Sequence, residues 1–345
     1  MNVMNKDYLK KQLIYKDAEE SVYFGRQCLF FEKKEARKKV RLRCKNPLVF
    51  FHLFRRLFRF DIRCFSKIND RYFFFLKGSL YMVDDCYVIK KIRNFSNMSS
   101  PLYLSANISK TKIIFGDYSN SAERKEVNIY SLDYYGNLEI IYSFPPNSVK
   151  HIHNIIPIPN IDDSYYVLTG DSDDESGIWI LNKKAISPLL VGKQKYRSCF
   201  LFPKKNGFIY FTDSPISKNY IYEYQLDCNQ MKQLHSINGP CINAVAEHGI
   251  VFFSTSVEPN PLKTGLFNNF KVSESILENY IYIYKLDTIS NTLSVLLKIK
   301  KDLFDMRLFG LGNAKLLYLE KKLYINIYGT YKYYGKTIVI KGELD

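Results

Sequence analysis

His151 and His153 stand two residues apart in the segment His151-Ile-His-Asn-Ile-Ile-Pro157, whose apolar content suits a strand. Side chains at i and i+2 of a strand project to one side. Two imidazoles so placed can offer nitrogens to one divalent cation, with a carboxylate from a neighbouring loop completing an open site. They can equally act as a general base beside an acid such as Asp171 or Asp173, or serve as hydrogen-bonded packing residues. The run Asp171-Ser-Asp173-Asp-Glu175-Ser-Gly177 has oxygen groups at alternating positions, as calcium loops do. It departs from the EF-hand pattern, because its glycine falls one place late and the twelfth position is Asn182. Asp171, Asp173 and Glu175 could also accept sugar hydroxyls or supply the paired carboxylates of a glycoside hydrolase. Arg197, next to Tyr196, offers a guanidinium matched to a carboxylate and a ring able to stack on a pyranose. The competing reading pairs Arg197 structurally with the acidic run. Asp213 and Glu258 complete the substrate-binding candidates, with Glu258-Pro259 readable as an inward acid or a turn.

A β framework must hold these residues. From about residue 60 onward, short runs rich in Tyr, Phe, Ile, Val and Leu are split by turn residues. An aromatic, any residue, an apolar residue, then Asp or Asn recurs at Tyr81–Asp84, Tyr130–Asp133, Trp179–Asn182, Tyr224–Asp227 and Tyr284–Asp287, the final residues 49, 49, 45 and 60 apart. Periods near 40 to 50 residues with about four strands each mark a β-propeller, in which blades bury their faces against one another. Innermost strands are expected near 60–68, 102–106, 151–158, 196–203, 241–246 and 304–309, and the last unit runs on through Lys315–Leu319, Leu323–Tyr328 and Thr337–Lys341. Six blades are legible, and a hairpin of Cys28–Glu32 with Val40–Cys44 offers strands for a seventh or for a closing element. The fold class is all-β, a β-propeller of six or seven four-stranded blades over residues 58–345, preceded by a basic segment, 1–57, that carries the hairpin. An open β-sandwich is the alternative. In an antiparallel blade the start of the innermost strand and the turn between the second and third strands share one face. That face collects His151, His153, Arg197, Asp171 to Glu175, Asp213, the stretch from Asp117 to Arg124, and Glu258 at the head of an enlarged turn reaching about Glu278.

Ser131-Leu-Asp133-Tyr-Tyr-Gly136 resembles a degenerate Asp-box, the Ser-x-Asp-x-x-Gly turn of the BNR-repeat, sialidase-like propellers, with Leu138 where Trp is common. In that family the box lies between third and fourth strands, where this one falls. The stretch from His151 through Thr212-Asp213-Ser214 is similar to BNR-like proteins of uncertain function, some associated with bacterial surface-polysaccharide genes. The resemblance implies the fold, and a function in recognising or acting on an anionic glycan. The Phe-Arg-Ile-Pro segment of true sialidases has no counterpart, although Arg59 and Arg63 fall in that part of the chain.

Composition bounds the partners. The formal charge is +16, but residues 1–67 hold 18 Lys and Arg against 7 Asp and Glu, net +11, which leaves +5 for the rest. Global basicity is therefore weak evidence for nucleic acid, and no specific nucleic-acid contact is expected. The stretch from Lys33 to Lys45 reads as a charged hairpin. Phe50, Phe51, Phe54 and Phe58 mix with Arg55, Arg56 and Arg59, which admits membrane-surface contact, though the first expectation is that these aromatics are core and the arginines solvated. No apolar run suits a transmembrane helix, and seven scattered cysteines suit reduced thiols of a cytoplasmic protein. No P-loop, dinucleotide fingerprint, nucleophile elbow or HExxH is present. Three functions remain open: glycan recognition, a glycoside hydrolase or metal-assisted polysaccharide lyase using the histidine pair, and a non-catalytic protein scaffold. A divalent metal is the one cofactor the sequence admits.

Overall fold

The computed structural model describes residues 5–34, 36–42, 46–95, 98–119, 123–260 and 272–341. The chain is an all-β propeller of seven four-stranded antiparallel blades. In chain order, six run Gln12–Lys16 to Ala36–Arg41, Phe65–Ile68 to Ile89–Asn94, Ser105–Ala106 to Leu138–Phe144, Ile152–Pro157 to Ala185–Val191, Ser198–Lys204 to Gln230–Ile237, and Cys241–Glu247 to Thr292–Lys300. The seventh joins Asn313–Leu319, Lys322–Tyr328 and Thr337–Lys341 to the N-terminal strand Asn5–Leu9, which pairs antiparallel with Thr337–Lys341. Two compact units divide the chain: 61–212 with 224–230, and 1–60 with 213–223 and 231–345.

Strand position within a blade follows from composition. Second strands such as Ser164–Thr169 and Gly207–Thr212 are buried at every residue, so they read as unbroken apolar runs without alternation. Each fully buried Phe of the run Phe73 to Phe75 contributes about 1.5–3 kcal/mol. Fourth strands face water, and Ala36–Arg41 (Ala-Arg-Lys-Lys-Val-Arg) is polar accordingly. Within the 61–212 unit, Ile114, Ile129, Val149, Ile152, Val167 and Leu181 form one core cluster. In the other unit, Phe252, Ile283, Leu316, Ile325 and Ile340 belong to another.

Four innermost strands share a β-bulge near their start, at Leu13/Tyr15, Ile152/Asn154, Ser198/Phe200 and Cys241/Asn243. A bulge unpairs backbone groups, and asparagine side chains take several of them up. Asn154 Nδ2 donates to Cys199 O at 2.9 Å, and Asn326 Nδ2 to Leu13 O at 2.6 Å.

Two expectations need correction. Residues 304–309 do not form an innermost strand: Asp305 accepts from the amides of Arg307 and Leu308 and caps a helical turn, Met306–Phe309, and the innermost strand is Asn313–Leu319. Phe50, Phe51 and Phe54 are exposed while Arg55 and Arg56 are buried, the reverse of the expected packing. In the basic hairpin, Cys28–Lys33 pairs with Ala36–Arg41, whereas Glu35, Arg43, Cys44 and Lys45 lie outside the described residues, as do 261–271 of the enlarged turn after Glu258.

Candidate functional site

His151 immediately precedes the strand Ile152–Pro157, and His153 is the extra residue of its bulge. Both side chains are buried, at 2% exposure. His151 Nδ1 lies 2.8 Å from Ser119 O, and His153 Nδ1 3.1 Å from Ser198 O. A carbonyl oxygen only accepts, so these partners assign the hydrogen of each neutral ring to Nδ1. Both Nε2 atoms then carry lone pairs, and they face each other at 3.0 Å. Asp171 Oδ1 stands 3.4 Å from His151 Nε2. Two lone pairs at that separation repel unless a proton or a cation sits between them. One ligand atom from each of His151, His153 and Asp171 falls within 4.8 Å of the others, a two-nitrogen, one-oxygen set that suits a divalent transition metal. Imidazoles whose Nδ1–H is fixed on a backbone carbonyl are oriented as metal-ligating histidines are.

Asp171 sits on the turn after Ser164–Thr169. Its Oδ2 takes Lys150 Nζ at 2.7 Å, and its Oδ1 takes Arg197 Nη2 at 3.2 Å. Its main-chain oxygen accepts from Gln194 Nε2 at 2.7 Å and Arg197 Nη1 at 3.1 Å, which fixes the loop as well as the carboxylate. Burial opposes the charge on Asp171, but its polar neighbours, the Arg197 guanidinium among them, prevail and hold its carboxyl well below the usual range. Burial, with the charge of Arg197 nearby, pushes His153 well below the ordinary imidazole value, so its ring stays neutral, as a metal ligand must be. Tyr118 stacks on His151 with centroids 4.2 Å apart and planes 22° apart, and the Arg63 guanidinium lies 4.8 Å from the Tyr118 ring. Two cations thus touch one carboxylate and a third stands behind the tyrosine.

The other candidates have partners of their own. Glu175 is buried and fully occupied: its Oε2 accepts from Lys150 N at 2.7 Å, its Oε1 from Ser172 N at 3.0 Å and Ser172 Oγ at 2.8 Å. It closes a capping box on the 3-10 turn Asp173–Glu175. Asp173 is exposed on that turn, and Asp174 pairs with Arg124. The alternating oxygens of the acidic run therefore diverge onto separate partners and do not converge as a calcium cage. Tyr196 ends the 3-10 turn Gln194–Tyr196 with Lys195 Nζ 5.1 Å from its ring, and Gln194, not Tyr196, reaches Asp171. Asp213 and Glu258 belong to the other compact unit. Asp213 is buried there, and its charge adds to the burial that pushes the Cys241 thiol up. Glu258 Oε1 accepts from Ser256 Oγ at 2.6 Å. Asp117 accepts from the Asn128 amide and side chain, and burial pushes its carboxyl up. Sequence reasoning missed Lys150 and Gln194, which lie one and two residues from residues that were singled out. Tyr118 lay unnamed within the stretch Asp117 to Arg124, and Arg63 was noted only for its place in the chain.

The turn that follows the strand Val127–Leu132 is closed by its own aspartate. Asp133 Oδ1 accepts from the amides of Tyr135 at 2.8 Å and Asn137 at 2.9 Å, and Gly136 adopts φ 91°, a conformation suited to glycine. No family profile matches the sequence, and no curated protein does. Solved structures are similar over the whole chain. A virginiamycin B lyase from Staphylococcus aureus matches with TM-score 0.59 and 8% identity, covering 98% of this chain and 99% of that one. An oligogalacturonate lyase in complex with manganese gives 0.60 and 10%, covering 97% and 90%. The AfRom2 CNH domain gives 0.52 and 10%, covering 98% and 99%. At such low identity these likenesses speak to fold alone, and they agree with the strand order that this chain is a seven-bladed β-propeller.

Proposed function

We propose that the protein binds an acidic glycan through a divalent cation held by His151, His153 and Asp171, and that its chemistry, where it cleaves, is elimination. The observation that carries this reading is the convergence of two Nε2 lone pairs at 3.0 Å beside a carboxylate, with both Nδ1 atoms tied to carbonyls. A cation there would supply Lewis-acid polarisation of a substrate carboxylate. Arg197 and Lys150 supply the positive surroundings that a uronate carboxylate needs, and Tyr118 offers a ring edge beside them. Hydrolysis is less well served, because it needs two facing carboxylates and Glu175 is committed to main-chain amides and Ser172. Elimination needs instead a neutralised carboxylate, which acidifies the adjoining C–H. A base takes that proton, the C–H electron pair becomes a C=C bond as the glycosidic C–O bond breaks, and the departing oxygen takes a proton from water or from the protonated base. The manganese-bound oligogalacturonate lyase among the structural neighbours adds support by analogy. Kinship with the Asp-box propellers and a cytoplasmic location belong to the same proposal, the latter favoured by exposed thiols at Cys86 and Cys228 outside any disulfide.

Metal analysis after equilibration with manganese or zinc, on the parent and on His151→Ala/His153→Ala, tests the reading. About one equivalent of metal in the parent and none in the variant is expected, with oligogalacturonate binding lost on chelation. Release of an unsaturated uronate, seen by its ultraviolet absorbance, would mark elimination. Equal metal content in the two proteins would sink the site.

A further inference from the structure

The segment Pro47–Leu57 in the other compact unit is built inside out. Its 3-10 turn Pro47–Phe50 and helix His52–Leu57 turn Arg55 and Arg56 inward, at 3% and 2% exposure, and leave Phe51 64% exposed. The arginines are held there. Arg55 lies 4.7 Å from the Tyr334 ring and donates to Tyr334 Oη at 3.3 Å. Arg56 donates to Asp302 at 2.7 Å and to Phe309 O at 3.1 Å, with its guanidinium 5.5 Å from the Phe304 ring. With both arginines used as the anchor, the helix shows His52 and Phe54 to water, with Leu53 and Leu57 partly exposed.

The neighbouring turn Met306–Phe309 continues the same face, since Arg59 donates to Arg307 O at 2.6 Å. Leu303, Leu308, Phe304 and Tyr331 are all exposed there, Leu303 at 86%, and Phe304 stands 6.4 Å from Tyr331. Such clustering is unusual on a surface that meets only water. Exposed cations rim it. Arg59 and Arg307 lie at one side, while Arg26 and Lys336 are close enough to His52 for their charges, after burial and Arg55, to help lower its pKa. Lys332 follows next to Tyr331. The nearby carboxylates are spent, Asp302 on Arg56 and Lys301, Asp305 on the helix cap.

We propose that this face is a docking surface for an anionic lipid membrane, with Phe51, Phe54, Leu303 and Leu308 entering the headgroup region and the five exposed cations meeting lipid phosphates. Apolar side chains ringed by cations match a surface whose acyl carbon lies just beneath negative charge. A second copy of the chain fits poorly, because an isologous pairing would set five cations against five. The inference is independent of the metal site.

Flotation of the full chain with vesicles of phosphatidylcholine alone, and with roughly 30% phosphatidylglycerol, tests it. Binding to the anionic vesicles is expected, at least about tenfold stronger than to neutral ones and weakened by salt. Phe51→Ser/Leu308→Ser removes two exposed side chains, so its thermal melt should match the parent while anionic binding falls about tenfold or more. Arg59→Glu/Lys336→Glu should lower binding and flatten its salt dependence. Absence of binding at millimolar lipid, or equal binding by the Phe51/Leu308 variant, overturns the proposal. So does self-association of the parent that this variant abolishes, which would make the face a protein interface.

Discussion

The protein buries ionisable side chains in two places by opposite means. In the 61–212 unit, His151 and His153 anchor their hydrogen-bearing nitrogens on main-chain carbonyls, which leaves acceptors converging on one another. In the other unit, Arg55 and Arg56 present donors alone, and these are met by aromatic faces and by the Asp302 carboxylate, which Lys301 shares. The first arrangement gains from an added cation. The second is met largely by the protein's own groups, Arg56 Nη2 having ring faces but no hydrogen-bond acceptor beside it, and serves to fix a helix. Burial of charge by itself therefore does not mark a site; the direction in which acceptors converge does.

If that contrast holds, the arginine cluster should dominate stability. Asp302→Asn leaves Arg56 and Lys301 facing each other without a shared carboxylate, and a buried pair broken on one side costs about 3–5 kcal/mol. Metal-free His151→Ala/His153→Ala should cost less, about 1–3 kcal/mol, because it removes hydrogen bonds without stranding a charge. Urea denaturation of both variants checks the ranking, and equal losses would erase the distinction.

Acid titration sharpens it further. Burial opposes the charge of Asp302, but hydrogen bonds from Arg56 and Lys301 outweigh it and hold the carboxyl below its ordinary value. A depressed folded-state pKa means the unfolded chain binds more protons in that window, so stability rises with pH there. The contribution is complete above the ordinary carboxyl value of about 3.9 and disappears as pH falls through the lower folded one. Below about pH 4, stability should fall less steeply in Asp302→Asn than in the parent. Matching slopes would mean that Arg56 is held by its rings alone.

The sequence made the propeller legible because period and strand composition are local signals: an unbroken apolar run such as Phe208 to Phe211 can only sit between neighbours. The blade Gln12–Arg41 was half visible, through its hairpin alone, and the closure was not visible, since Asn5–Leu9 lies more than 300 residues from its partner Thr337–Lys341 and no local pattern announces such a pairing. The innermost strand placed at 304–309 failed because Phe304 and Phe309 do pack apolar surface, but from a capped helical turn. At the site, His151, His153, Asp171 and Arg197 were legible as types at useful spacing. The roles of Glu175 and Asp174 were not, because a carboxylate that accepts main-chain amides looks the same in sequence as one that faces a ligand. The arginines of the His52–Leu57 helix were misread for a related reason: side-chain charge suggests solvent until the enclosing rings, which come from residues 304 to 334, are in place.

The smallest effect comes from the turn that carries Asp171. Arg124 makes a bidentate contact with Asp174, at 2.5 and 3.1 Å, and reaches Ser172 Oγ at 2.8 Å, so it looks like a clamp on the loop. Asp174 is well exposed, however, and water screens such a pair. Arg124→Ala should therefore cost at most about 1 kcal/mol and leave metal affinity unchanged. The loop is held instead by Glu175, which joins the Ser172 amide to that of Lys150, next to His151. Glu175→Ala removes that link, and loss of a group that orients a metal ligand lowers affinity by about tenfold or more. Metal titrations of the two variants separate these cases. A drop in affinity on removing Arg124 alone would show that its contacts, with Asp174 and at 3.6 Å with Glu175 Oε2, help to set the position of Asp171.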